Sequence, residues 1–358
     1  GFLALCSNNL PAPAIDPADD DTPEDYFNTV LYTGTGSAQS ITGVGFGSAP
    51  DFVWIKQRSG TAFHNIYDRL RIVSGDHKRL YTNATNAEES STYFGATNLS
   101  SFDSDGFSVG GGSDTNNSSS TYVAWNWKAG GTAASNTDGD ITSQVSANTK
   151  AGFSIASYTG NGLTNQSIGH GLNSPVELYF HKARSTTSNW GINTNAIDGS
   201  MDFLMLNLVD SAITGTVQQP TSTVVGISGS GTGLNASGQT YIAYCFHSVE
   251  GYSKVGSYTG NGSSDGPFVY TGFRPAFVIT KFSSSTGNWV MFDAERNNYN
   301  VIDDWLLANL TNAEGTGTAL DFLSNGFKLR ASGSGWNDSG TYIYLAFAEQ
   351  PFKYANAR

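Results

Sequence analysis

The chain has 358 residues, 13% of them charged and 38% hydrophobic, with 18 basic against 30 acidic side chains and a net charge of −12. No cluster of Lys and Arg is present to neutralise a phosphate backbone, so nucleic acid and anionic membrane surfaces are excluded as partners. No apolar run approaches the ~18 residues of a membrane span, and the chain is read as soluble. The charge is about half the usual share of ~25%, and Gly (42 residues), Ser, Thr and Asn take its place. That mixture suits short strands joined by tight turns, because Gly and Asn tolerate positive φ and Ser and Thr cap locally.

Residues 1–25, with "LPAPAIDPADDD", read as an extended, acidic, Pro-rich lead-in that continues something upstream. The opening "GFLALC" only superficially resembles a lipoprotein cleavage box, since it lacks a basic n-region and a full apolar run. From Tyr26 onward four blocks follow in order. They are a Tyr-Thr-Gly-x-Gly turn at Tyr32, an apolar strand from Pro50 ending in Lys56, "LYTNATNA" around Asn83, and "TYVAWNW" at Tyr122. Residues 131–150 are small and polar and are expected to be a linker. The same four blocks then recur from Tyr158, Pro175, Asn207 and Tyr241, and again from Tyr258, Pro275, Asn309 and Tyr342.

The tyrosine-to-proline spacing is 18, 17 and 17 residues, and the spacing between first and last Tyr is 90, 83 and 84. Constant order with near-constant spacing marks a duplicated domain. The predicted modules cover 26–130, 151–248 and 251–352, with a tail at 353–358. Modules two and three, joined almost without a linker, are expected to pack rigidly.

Each last strand alternates. Val123, Trp125 and Trp127 share a face, as do Ile242, Tyr244 and Phe246, and Ile343, Leu345 and Phe347. Opposite them lie Tyr122, Ala124 and Asn126, then Tyr241, Ala243 and Cys245, then Tyr342, Tyr344 and Ala346. Period-2 patterning with Gly/Asn turns predicts an all-β protein of three tandem antiparallel β-sandwich modules, jelly-roll or lectin-like. Asn300 to Leu310 is the one competing helical segment, although its equivalents look like strands.

The repeats test each candidate motif. "GFSVG" at Gly106 to Gly110 matches a nucleophile elbow, but Ser108 stands where module three has Lys328, and no helix can follow in "GGSDTNNSSS". Ser108 is therefore read as part of a turn, and no catalytic residue is assigned; the chain is not expected to be an enzyme. His64, His77, His170, His181 and His247 neither pair at metal-ligand spacing nor recur, so no metal site is assigned. His170 and His181 read as surface or strand-edge residues. Cys245 reads as a free thiol filling a strand face, unpaired with Cys6. Asp103, Asp105, Asp293, Asp303 and Asp304 could ligate Ca²⁺, but turn chemistry explains them, so no cofactor is assigned.

Aromatic side chains in polar loops remain. Trp190 and Trp289 occupy equivalent positions, which suggests a core role. Trp336, in "GSGWNDSG", has no apparent counterpart. Trp336, Asn337 and Asp338 are the candidate ligand-binding residues, since a flat ring beside amide and carboxylate groups suits a sugar.

"TYVAWNWKAGG", "AGFSIASYTGNG", "YIAYCFHSVEGYSKVGSYTGNG", "FVYTGFRPAFVITK", "SNGFKLR" and "YIYLAFAEQPFKYANAR" resemble fibre-like or appendage virion proteins of marine tailed bacteriophages, from about Tyr26 to the end. Relatives in that group often carry a SPRY-like domain upstream. The resemblance implies an exposed virion appendage, an adhesin-type tail fibre that contacts a host glycan or surface protein. It also implies association with other virion proteins and a closed homo-oligomer, expected as a trimer. A purely structural capsid or tail decoration is the alternative, and a polysaccharide-degrading enzyme the third reading.

Overall fold

In a computed structural model of the chain, the described residues are 10, 12–93, 95–215, 217–227, 233–333 and 335–355. Cys6 lies outside them. Each module is built on an opening strand (Phe27–Thr33, Phe153–Thr159, Ser253–Gly260), a closing strand (Thr121–Trp127, Thr240–Phe246, Gly340–Pro351) and a lysine strand (Phe52–Gln57, Leu178–Ala183, Phe273–Phe282). The closing strand sits between the other two and is antiparallel to both. Further strands extend each sheet beyond the lysine strand: Asn65–Asp68 and Leu80–Tyr81 in module one, Gly191–Thr194, Asp202–Met205 and the short Ile213–Thr214 in module two, and first Trp289–Asp293 and Ile302–Leu307 in module three.

A smaller sheet covers one face of each main sheet. In module one it is Leu99–Asp103, Gly106–Val109 and Gln39–Thr42, and in module two Ser167–Gly169 with Val224–Gly226. In module three the main sheet runs on through Gly315–Leu323, Gly326–Leu329 and Phe268–Tyr270 into one nearly closed barrel. The all-β sandwich class predicted from alternation is the observed one. Within Asn300 to Leu310 the structure is a strand, Ile302–Leu307, not a helix, and the one α-helix among the described residues is the single turn Ser113–Asn116.

Two expectations about organisation are corrected. The stretch 131–150 is no linker: Ala134–Asn136 and Ser143–Asn148 add two strands to the module-two sheet, outside its opening strand. Ala134–Asn136 is the edge, and Ser143–Asn148 lies inside it with Val145 in the module-two core and the buried Ser143 hydroxyl donating to the Gly169 carbonyl. The lead-in is not loose either. Ile15 is fully buried in the central core, and residues Pro17–Asp19 and Pro23–Asp25 form 3₁₀ turns.

The two faces of the closing strands divide as their alternation predicts, but both are buried. Tyr122 and Ala124, Tyr241, Ala243 and Cys245, and Tyr342, Tyr344 and Ala346 each fill their own module's sandwich. The bulkier faces do something else. Val123, Trp125, Trp127, Ile242, Tyr244, Phe246, Ile343, Leu345 and Phe347 all enter one central core shared by the three modules. The modules are therefore not beads in series; they pack around a common axis. At about 1.5–3 kcal/mol per fully buried large apolar side chain, this shared core is a main term in stability.

Polar contacts around the axis repeat with the same handedness. Lys56 Nζ reaches the Thr311 carbonyl of module three, Lys182 the Thr85 carbonyl of module one, and Lys281 the Val209 carbonyl of module two. These lysines end equivalent strands, and burial lowers each to about 8. Trp190 Nε1 donates to the Tyr81 carbonyl at 2.7 Å and Trp289 Nε1 to the Met205 carbonyl at 3.0 Å. Their shared core position is as expected. His64 stands at the third such position. Trp54 Nε1 donates to His64 Nδ1, which leaves the proton of the neutral ring on Nε2, a buried atom with no hydrogen-bond partner among the described residues; at this joint the Thr82 hydroxyl donates to the Ala308 carbonyl of module three instead. Each module thus grips the next, and the ring closes.

Candidate functional site

The Tyr-Thr-Gly-x-Gly turn is held by the same four-residue lock in every module. The two tyrosines stack, Tyr32 on Tyr122, Tyr158 on Tyr241 and Tyr258 on Tyr342, with centroids 4.9, 5.0 and 4.9 Å apart. The first tyrosine donates its hydroxyl to the carbonyl of Thr115, Leu234 or Trp336. The next residue is Asn116, Asn235 or Asn337, whose side-chain oxygen accepts the turn amide of Thr35, Asn161 or Asn261. The second tyrosine oxygen accepts the amide of Asn117, Ala236 or Asp338. The first turn glycine is required because a Cβ at Gly34, Gly160 or Gly260 would lie 2.2–2.4 Å from a backbone carbonyl.

This lock reassigns the predicted ligand residues. Asn337 is fully buried, and its amide nitrogen is committed to Asn261, Ser263 and Ala331, so it is a structural hinge pin rather than a ligand group. Asp338 caps the same loop through the Gly335 amide. Trp336 does have positional counterparts, Thr115 and Leu234; differing side chains hide the equivalence. It is 6% exposed, packs edge-to-face on Phe292 at 5.7 Å, and its Nε1 is buried with no partner among the described residues.

Beside the lock each module carries a pocket, and the three are built from equivalent positions. Module three's, about 370 Å³, is lined by Trp305, Leu307, Asn288 and Gly335 together with Trp336. Module two's, about 200 Å³, has Phe203, Met205, Asn189 and Gly233 at the matching positions with Leu234. Module one's, about 540 Å³, has Arg79, Tyr81, Phe63 and Asp114. The scaffold is constant while the lining changes from aromatic to mixed to charged. In module one Arg79 bridges Asp114 and Glu89 and lies over the Tyr81 ring at 5.0 Å.

Sequence reading missed Trp305 because it lies in the Asn300 to Leu310 segment, whose pattern competed with a helix; its match with Phe203 and Arg79, four residues before the repeated Asn, was the available signal.

The remaining candidates serve the fold. Ser108 lies in the strand Gly106–Val109, not a turn, and donates to Asp103. Asp105 accepts the amides of Gly43 and Gly45, which holds its carboxyl below the usual range. Asp303 and Asp304 both accept from Asn297 Nδ2, and Asp304 also accepts the Thr316 hydroxyl. His170 and His181 are buried, not surface residues, and burial pushes them down to about 4 and about 3. Cys245 is a buried free thiol, pushed up to about 12.

The opening and closing strands run along the axis, so the module has two distinct ends. Trp127 and Phe246 lie 5.6 and 6.0 Å from Phe347 near one end, where Tyr354 also hydrogen-bonds Asp16. The three turns lie at the other, roughly 20 Å away at 3.3 Å per residue along seven-residue strands. No described helix is long and apolar enough to cross a membrane.

These features define an all-β protein of three diverged sandwich modules closed around one axis, with a pocket in each. The chain belongs to the family described as domain of unknown function DUF7483, which matches residues 22–351, all three modules together. No curated protein and no solved structure matches it.

Proposed function

We propose that this chain is an exposed bacteriophage virion appendage of the adhesin type, contacting the host surface through the end that carries the three turns and pockets. One observation carries the reading: the lysine-to-carbonyl docking contacts and the turn locks recur in all three modules, while the pocket linings diverge. A purely structural module has no need of that pattern, whereas a recognition module varies its contact residues on a constant frame. The resemblance of its long motifs to marine phage appendage proteins supplies the virion setting. The segments around Asp16 and Tyr354 meet at the opposite end, so attachment there leaves the pocket end free. No catalytic role is part of this reading. Each module's lysine and its docking loop are already used within the chain, so a trimer of chains would assemble through other surfaces.

The test is competition. Purified, folded chain incubated with the phage's host cells slows phage adsorption in a dose-dependent way. Undiminished adsorption at saturating chain would sink the adhesin reading and favour capsid or tail decoration.

A further inference from the structure

The three pockets offer an internal comparison that separates frame from lining. At the position four residues before the repeated Asn, module three places Trp305 where the other modules have Phe203 and Arg79. At the position just before the lock asparagine it places Trp336 where they have Leu234 and Thr115. Both changes enlarge the flat aromatic surface, and the two indoles meet with centroids 5.9 Å apart at 49°. Trp336 is fixed by Phe292, and Trp305 lies against Gly315, where a Cβ would come within 2.2 Å of the indole ring. A glycine at that point is what lets the indole rest on the backbone. The platform is rigid before any ligand arrives, which lowers the ordering cost of binding.

The polar groups of the pocket are amides and hydroxyls. Asn288 Oδ1 accepts from Asn309 at 2.8 Å, which orients its amide; its Nδ2 has no protein acceptor among the described residues. Thr316 and Thr318 are exposed at the mouth; the Thr316 hydroxyl donates to Asp304 at 3.0 Å, so toward a ligand it acts as an acceptor. Among the described residues no ionisable side chain lines this pocket, the nearest carboxylate, Asp304, being engaged behind Thr316, in contrast to the Arg79–Asp114–Glu89 set of module one and His181 of module two. A charged ligand entering here would lose water without gaining a counter-charge. A lipid chain would leave the Asn288 amide nitrogen and the Thr318 hydroxyl of the rim unpartnered. A ring with an apolar face and a hydroxylated edge satisfies both halves, and about 370 Å³ falls in the range of small-molecule sites.

We propose that the module-three pocket binds an uncharged pyranose sugar, stacked on Trp305 with its hydroxyls on Asn288, Thr316 and Thr318. The proposal deepens the adhesin reading by naming a ligand class, and the two fail separately, since sugar binding is read on purified chain and adhesion on cells.

The experiment is a tryptophan-fluorescence titration of the full chain with glucose, galactose, mannose, N-acetylglucosamine and short oligosaccharides of each, with glucuronate as the charged control. At least one neutral sugar gives a saturable change, and glucuronate binds at least about tenfold more weakly. Trp305→Ala weakens binding at least about tenfold, and Trp305→Phe restores most of it. Gly317→Arg guards against an unfolded Trp305→Ala: a Cβ at Gly317 meets no atom within 4 Å, so the fold is undisturbed while the mouth is blocked and charged. Binding is lost in Gly317→Arg while the melting temperature is kept. Absence of a saturable change with every neutral sugar overturns the proposal, and so does binding that is unaltered in Gly317→Arg.

Discussion

Asn337 illustrates how a residue's role changes once its neighbours are known. In sequence it stands beside an isolated Trp in a Gly/Ser loop, which is a plausible sugar-binding pattern. In the fold it is the module-three copy of Asn116 and Asn235, and all three accept a turn amide. The equivalence was hard to see because Asn337 lies five residues before its tyrosine, whereas Asn116 and Asn235 lie six before theirs. Trp336 was legible as unusual but not as part of a lock, since the lock uses its backbone carbonyl, which no side-chain pattern reports. Asn337→Ala leaves the amide of Asn261 and the carbonyls of Ser263 and Ala331 without their partner. At ~1–3 kcal/mol for buried polar groups left unsatisfied, the expected loss is about 2 kcal/mol, read as a lower urea midpoint with unchanged m. A full-stability Asn337→Ala chain would return this residue to the list of ligand groups.

At the level of strands, alternation revealed which residues share a face but not what covers each face. The Trp125, Tyr244 and Leu345 face has the look of a sandwich interior, and nothing local says that the covering sheet belongs to another module. The receiving side does carry a signal. Tyr244 Oη donates to Asp68 at 2.6 Å and Trp125 Nε1 to Asp293 at 3.0 Å, across module boundaries. Both aspartates also hold a buried arginine, Arg71 or Arg296, through Nε. Those arginines reach Glu88 and Glu314, which in turn pair with Arg184 and Arg58 across the same two boundaries. Where the third closing strand has Leu345, the position matching the aspartates is Thr194, and Ile197, Ala212 and Ser283 replace the other charged partners. Two joints are therefore ionic and one is apolar, and the charges change together because a lone buried charge is far costlier than none. A double-mutant cycle of Tyr244→Phe and Asp68→Asn, followed by urea unfolding, is expected to give a coupling of about 1 kcal/mol, within the ~0.5–3 kcal/mol of residues in contact. Additive effects would mean that modules one and two do not share this bond.

For the whole molecule, the repeats legible in the sequence suggested three independent domains, and the spacing gave no reason to doubt it. Physical independence requires each module to bury all its own apolar surface, and here each buries only its sandwich interior. The bulky face of each main sheet is covered by the other two, with Ile15 of the lead-in, so an isolated module would expose rings such as Trp125, Trp190 or Phe277 to water. The family match across residues 22–351 agrees with the ring, rather than the module, as the unit. Unfolding should therefore be one cooperative event despite the three-part sequence. Differential scanning calorimetry is expected to show a single transition whose van't Hoff and calorimetric enthalpies agree, and residues 151–248 expressed alone should lack a cooperative melt. The mechanism predicts more than the peak count: Phe277→Ala in module three should lower the one melting temperature of all three modules, because Phe277 lies 5.6 Å from Phe27 and 5.7 Å from Trp125 of module one, and 6.4 Å from Phe347, which itself lies 6.0 Å from Phe246 of module two. A cavity of that size typically costs about 3–5 kcal/mol. Separate transitions, with only one displaced by Phe277→Ala, would show the modules to be thermodynamically autonomous and the central core to be a contact surface rather than the interior of the fold.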